Sequence, residues 1–214
     1  MTAISIDGPS GAGKSTIAKR LAEELGFSYL DTGAMYRGMT YLAIEKGIDL
    51  DDEEAVCRMT QSAMLRYEGQ DLYVDDLPAE PHIRSEAVTR SVSLISSYGC
   101  VREKMVAMQR MLADEGNIVL DGRDIGTTVL PKADFKFYLT ASPEVRARRR
   151  YLENKEKSDL SYEQVLEDIL RRDKYDSNRA ISPLRVPEDA HQIDSSELNI
   201  EQVVQIMRDR IRGK

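Results

Sequence analysis

The octapeptide GPSGAGKS, from Gly8 to Ser15, combines glycine, lysine and hydroxyl side chains at the spacing G-x-x-x-x-G-K-S. Glycines in such a loop let successive backbone N–H groups turn inward around anionic oxygens, and a following helix adds the positive end of its dipole. On this reading Gly8, Pro9, Ser10, Gly11, Ala12, Gly13, Lys14, Ser15 and Thr16 cradle the phosphates of a nucleotide such as ATP. Lys14 reaches the β- and γ-phosphates, and the Ser15 hydroxyl binds Mg²⁺, with Thr16 the alternative hydroxyl. An ordinary glycine turn is the competing interpretation. The β-branched run TAISID before the loop and the amphipathic KSTIAKRLAEEL after it favour the phosphate site.

A phosphate loop leaves the fate of the nucleotide open. A GTP switch needs an NKxD motif to read guanine; the nearest match, NKEK at 154–157, has lysine in place of the acid. Motor and transporter ATPases are usually longer or modular. A small kinase remains, and its acceptor leaves a trace in residue types. A hydroxyl acceptor calls for a carboxylate base. A phosphate acceptor is already anionic, so it calls instead for cations that offset repulsion between two polyanions. Arginines cluster at Arg146, Arg148, Arg149 and Arg150, at Arg171 and Arg172, and at Arg179, with Arg37 and Arg123 each just after a strand candidate. The RARRR block also reads as a solvated helix face paired with nearby acids. Arg37 and Arg123 lie where α/β sheets bind ligands, beyond the carboxyl ends of strands.

The elements that must position these residues alternate. Strand candidates at 2–7, 27–30, 117–121, 135–139 and 190–193 are interleaved with helical patterns such as GAMYRGMTYLAIEK, SPEVRARRRYLENK and NIEQVVQIMRDRI. Apolar residues at Ile17, Ala18, Leu21, Ala22 and Leu25 mark a helix that Gly26 should stop. Such alternation predicts an α/β fold with a five-stranded parallel sheet flanked by helices. MLRYEGQDLYVDD, 64–76, breaks the pattern and predicts a small antiparallel hairpin. LENKEKSDLSY, 152–162, is polar and lies between arginine-rich stretches, as a solvated loop or a mobile lid would.

Four segments in order, DGPSGAGKST, LDTGAMYR, DGRDIGT and RRDKYDSNRAISPL, make the chain resemble the bacterial cytidylate kinases along essentially its whole length. Adenylate kinases share the plan but usually carry a DGFPR-like segment where this chain has DGRDIGT, which favours a pyrimidine acceptor. The resemblance implies a P-loop kinase fold: a core at 1–40 and 95–214, an acceptor-binding antiparallel β insertion at about 41–94, and a short lid at about 150–162. It also implies Mg²⁺-dependent transfer from ATP to CMP or dCMP.

By the same resemblance, Thr32, Tyr36 and Arg37 sit against CMP, with Arg37 on its phosphate. Thr32 is also a candidate helix N-cap, and Tyr36 a candidate core residue. Asp124 matches the acid that takes the cytosine amino proton, the donor–acceptor logic by which acids read cytosine in DNA. Ser93 and Arg102 match its partners at the base edge, although each also suits a polar helix surface. Arg123 would contact the acceptor phosphate, and Arg172, Asp176 and Arg179 the phosphates and ribose. Asp121 could support Mg²⁺ as a Walker-B-like acid or simply cap a loop. Lys14, Arg123, Arg148, Arg149 and Arg172 are the candidate catalytic residues, since no dedicated base is expected.

The bulk properties agree with a kinase. The net charge of −7 and a pI near 5.1 are the wrong sign for sequence-independent nucleic-acid binding. Cys57 and Cys100 lack metal-site spacing and suggest no disulfide, and the N-terminus MTAISIDG lacks a signal-peptide pattern. A reduced, cytoplasmic, soluble monomer with no membrane partner is the expectation. The alternatives are a broader UMP/CMP kinase, a kinase for a small hydroxyl metabolite, and a regulatory nucleotide-binding module.

Overall fold

A computed structural model describes residues 1–68, 71–80, 82–155 and 160–213. The elements run β1 (Ala3–Asp7), α1 (Lys14–Leu25), β2 (Ser28–Asp31), α2 (Thr32–Glu45), α3 (Glu53–Ser62), β3 (Leu65–Glu68), β4 (Asp71–Val74), β5 (Leu77–Pro78), α4 (Glu86–Ile95) and α5 (Gly99–Ala113). Then follow β6 (Ile118–Gly122), β7 (Phe135–Thr140), α6 (Pro143–Asn154), α7 (Tyr162–Asn178), β8 (His191–Asp194) and α8 (Ile200–Arg212). A 3₁₀ turn, His82–Arg84, precedes α4, and a π-helical turn, Ile125–Val129, follows β6. The chain divides into two compact units, one of Met1–Leu30 with Ala113–Lys214 and one of Asp31–Leu112.

The first unit is built on a sheet of order β2-β6-β1-β7-β8, with β1 parallel to β6 and β7, and β7 parallel to β8. All five strand candidates are found there. β6 is buried at every position and β1 at all but its first, as expected of strands covered on both faces. Ile4, Ile6, Val119, Phe137 and Leu139 meet Ile17, Ala18 and Leu21 of α1 and Val203, Val204 and Met207 of α8 in one core. Gly26 stops α1 in a left-handed conformation, as its position predicted. At the sheet centre, the loop after β1 opens at the carboxyl edge, where doubly wound sheets bind ligands.

In the second unit, α2 is buried on most of its circumference and packs on the hairpin of β3 and β4, where Leu65 faces Val74. Gly38 makes this possible: a Cβ there would lie 2.8 Å from Val74 Cγ2 and 3.2 Å from Leu72 Cδ2. The hairpin candidate gains a third strand, β5, too short for a periodic pattern to reveal. The cap of α2 is Asp31, whose carboxylate accepts from Ala34 N at 2.9 Å, so Thr32 is the first helical residue rather than the cap.

The cysteines correct the sequence expectation. Cys57 on α3 and Cys100 at the start of α5 form a disulfide, their Cα atoms 5.6 Å apart. They lie 43 positions apart in sequence, so only the packing of α3 beside α5 reveals the pair. Lys104, one turn beyond Cys100, reinforces that packing by donating to the Thr60 carbonyl at 2.7 Å, to Gln61 at 3.1 Å and to Ala63 at the end of α3. Breaking the bond frees a long loop in the unfolded chain, a loss of about 4 kcal/mol on the loop-closure account. A melt in dithiol should therefore fall by roughly 10 °C. The Cys57→Ser/Cys100→Ser protein should melt at the lower temperature with or without dithiol; equal melting of all forms would contradict this.

Candidate active site

The phosphate loop sits in the first unit, between β1 and α1, and its glycines are dictated by close contact at Gly8 and by backbone conformation at Gly13. Gly8 has φ +152, and a Cβ there would lie 2.0 Å from the Leu139 carbonyl oxygen. Gly13, at φ 87, leads into α1 with no side-chain cap, so the backbone of the loop itself forms the helix entry. Lys14 is 6% exposed and donates from Nζ to the Pro9 carbonyl at 2.9 Å, which curls the lysine back over the loop. Burial, together with the Arg123 charge, pushes its pKa down to about 7, while Asp121, Asp7 and Asp176 pull it up.

Ser15 Oγ donates to Asp121 Oδ2 at 2.9 Å, and the Tyr29 hydroxyl donates to Asp121 Oδ1 at 2.8 Å. A hydroxyl and a carboxylate oxygen side by side suit the hard-oxygen preference of Mg²⁺. Thr16, the other candidate, is exposed.

Beyond β6 the residues of DGRDIGT meet Asp176 of α7 and Arg179, which follows that helix, in two crossed ion pairs. Arg123 Nε donates to Asp176 Oδ2 at 2.9 Å, and Arg179 Nη2 donates to Asp124 Oδ1 at 3.3 Å. Asp124 and Arg179 are both almost fully buried. Burial works against the Asp176 carboxylate, but Arg123, with Arg172 and Arg179, outweighs it and holds the pKa below the usual carboxylate value. Arg172 is half-buried on α7.

The RARRR block divides by helical phase. Arg146, expected either as a phosphate cation or on a solvated helix face, is instead buried; it donates to the Ser10 and Ala141 carbonyls, each at 2.9 Å, and pairs with Asp173 at 2.7 Å. It thereby ties the phosphate loop to α6 and α7. Arg149 donates to Ser195 Oγ at 3.1 Å and to the Ser195 carbonyl at 2.6 Å, and Arg148 is exposed. The helices flanking the lid candidate are α6 and α7, joined by Ala147, Val165 and Ile169 and by an edge contact of Tyr151 with Tyr162. Of that candidate, 156–159 lie outside the described residues.

The second unit carries Thr32, Tyr36, Arg37, Ser93 and Arg102. Thr32 and Arg37 share the first turns of α2, and Arg37 folds back over Gly33, where a Cβ would lie 2.8 Å from its Nη1. The glycine of TGAMYR thus leaves room for the arginine. Tyr36 and Arg102 are also together: the guanidinium lies 5.4 Å from the ring centroid, within cation–π range, and Arg102 Nη1 donates to the Ser96 carbonyl at 3.3 Å. Ser93 is half-buried on α4.

One buried acid in the first unit carries no mark in the sequence. Asp7, at the end of β1, is fully buried and accepts from Ile125 N and Gly126 N, each at 2.8 Å. Burial raises its pKa from the usual 3.8 to about 6, against the two amide donors. Between pH ~4 and ~6 the folded chain therefore holds a proton that the unfolded chain has released, and stability falls as pH rises through that window. The cost, about 3 kcal/mol, is complete above pH ~6. Urea titrations from pH 4 to 7 should show this decline in the wild type relative to Asp7→Asn; parallel pH profiles would contradict it.

A family model described as cytidylate kinase matches residues 4–213, nearly the whole chain. The chain belongs to the cytidylate kinase family. It is 51% identical over 207 residues to the cytidylate kinase of Halalkalibacterium halodurans, covering 94% of this chain and 93% of that protein. It is 44% identical over 216 residues to that of Bacillus subtilis, covering 99% and 96%. Among solved structures, a shikimate kinase from Acinetobacter baumannii has a similar fold, with a TM-score of 0.50 at 19% identity and coverage of 100% and 94%. In this cytidylate kinase family member, the helices contain no candidate long and apolar enough to cross a membrane, among the described residues.

Proposed function

We propose that the protein transfers the γ-phosphoryl group of ATP to CMP and dCMP, giving ADP with CDP or dCDP. The observation that carries this reading is the pair of crossed contacts, Arg123–Asp176 and Arg179–Asp124, beside a phosphate loop whose Lys14 feels the Arg123 charge. A kinase for hydroxyl acceptors needs a base; here the carboxylates Asp124 and Asp176 are each engaged by an arginine.

The backbone of Gly8 to Thr16 wraps the donor phosphates. Ser15 and Asp121 would hold Mg²⁺, which supplies charge neutralisation to the phosphates when bound. A phosphate oxygen of CMP attacks the γ-phosphorus in line as the bond to the ADP oxygen breaks. No proton need be removed from the nucleophile. Lys14, Arg123, Arg148, Arg149 and Arg172 offset the negative charge along that path. Arg37 and Arg123 grip the acceptor phosphate, Arg172, Asp176 and Arg179 serve its phosphate and ribose, and Thr32 and Tyr36 lie against the nucleotide. Asp124 accepts from the cytosine amino group, while Ser93 and Arg102 serve N3 and O2. The 150–162 segment closes over the nucleotides, limiting attack by water on ATP. On this reading the core at 1–40 and 95–214 carries the residues named above except Ser93, which the acceptor insertion at about 41–94 contributes. The enzyme acts as a cytoplasmic monomer.

A coupled ADP-release assay with Mg·ATP and each of CMP, dCMP, UMP, AMP and shikimate tests the reading. Rapid turnover with CMP and dCMP and weak turnover with UMP supports it. Equal use of UMP would favour the broader UMP/CMP kinase, and turnover with shikimate alone would overturn the acceptor class.

A further inference from the structure

Asp7 lies outside every role described above, yet it joins the two loops on which the reaction depends. It is the residue immediately before Gly8, so its backbone starts the phosphate loop. Its carboxylate reaches across the sheet edge to the turn that follows Asp124: Oδ1 accepts from Ile125 N and Oδ2 from Gly126 N, both at 2.8 Å and buried. Those amides begin the π-helical turn Ile125–Val129, and groups at the start of a helical turn have no partner within it. The other end of the turn closes on Asp124 itself, whose carbonyl accepts from Thr128 N at 2.9 Å and Val129 N at 3.2 Å. Asp124 is thus held from its own carbonyl and through the next two amides, while its side chain meets Arg179.

We propose that Asp7 is a positioning residue for cytosine selectivity, acting on Asp124 through the backbone of Ile125 and Gly126. The proposal rests on the assignment of Asp124 as the reader of the cytosine amino group. A carboxylate suits the place because each of its oxygens meets one amide donor, whereas an asparagine side chain has one oxygen for two donors aimed at different positions. In Asp7→Asn one of the two oxygens becomes an NH₂ that faces an N–H, so one buried donor loses its acceptor and the turn shifts. Asp124 then presents its oxygen to cytosine at a worse distance, and the preference over uracil shrinks. Asp124, Lys14 and Tyr138 also face Asp7 electrostatically, so donor binding must be measured beside acceptor binding.

The test compares kcat/KM for CMP and UMP, and KM for ATP, in the wild type, Asp7→Asn, Asp124→Ala and the double variant. Asp7→Asn should raise KM for CMP and lower the CMP-to-UMP ratio by about tenfold, with KM for ATP changed by less than about twofold. In the Asp124→Ala background the same substitution should leave the remaining ratio unchanged, since its effect passes through Asp124. If Asp124→Ala removes selectivity but Asp7→Asn leaves it intact, or raises the KM values for ATP and CMP together, the Asp7 proposal is overturned. If Asp124→Ala itself keeps the wild-type ratio, the base-reading assignment fails instead. Should Asp7→Asn not fold, hydrogen exchange of wild-type Ile125 and Gly126 amides decides: exchange only through global unfolding agrees with the anchor, and exchange through local opening contradicts it.

Discussion

Lys14→Met should lower kcat by a factor of about a hundred to a thousand while the protein stays folded. Lys14 is buried at the head of α1 with its ammonium folded back onto the Pro9 carbonyl. Methionine has similar length and no charge, so the variant keeps the volume and loses the cation. The folded state should tolerate the change well, because burial and Arg123 already disfavour the charged lysine and push its pKa down to about 7. What disappears is an interaction that strengthens as negative charge builds on the transferring phosphoryl group. Steady-state kinetics with saturating CMP, set beside a thermal melt, checks both halves. A variant that melts like the wild type and turns over nearly as fast would show that the arginines carry the charge stabilisation without Lys14.

Asp124→Asn should act on selectivity and stability together. The carboxylate is a pure acceptor, suited to the cytosine amino group and opposed to the uracil carbonyl. Asparagine offers either an oxygen or an NH₂, so uracil gains a donor where it met an acceptor. The CMP-to-UMP ratio of kcat/KM should fall by roughly tenfold or more, the cost of a mispaired buried polar group being about 1–3 kcal/mol. The same substitution removes one charge of the buried pair with Arg179. Breaking such a pair from one side costs about 3–5 kcal/mol, so chemical denaturation should detect it without substrate. An unchanged ratio in a destabilised protein would leave Asp124 a structural role only.

Local features of the chain are legible in its sequence because their physics is local. The phosphate loop compresses its requirements into eight residues: Gly8 has no room for a side chain, and Gly13 must adopt a left-handed backbone. The alternation of apolar runs gave the order of strands and helices, since a strand buried on both faces has few polar positions. What escaped the sequence is what only folding brings together. Cys57 and Cys100 become neighbours when α3 packs on α5, and nothing in their spacing says so. Arg123 meets Asp176 across 53 positions, so the motifs suggested each residue but not their pairing. Arg146 looked like one arginine in a charged block until helical phase turned it onto Ser10. Asp7 read as the last residue of a strand, and its two amide partners lie more than a hundred residues away. β5 pairs over only two residues, below what any periodicity can signal.

The central claim is that the γ-phosphoryl group passes to a nucleoside monophosphate rather than to water. Following ³²P from γ-labelled ATP, with Mg²⁺ and CMP both present, tests it directly. The label should move into CDP, with little released as inorganic phosphate, and UMP should accept it far more slowly. Label appearing chiefly as inorganic phosphate, or remaining on ATP whichever monophosphate is supplied, would contradict it.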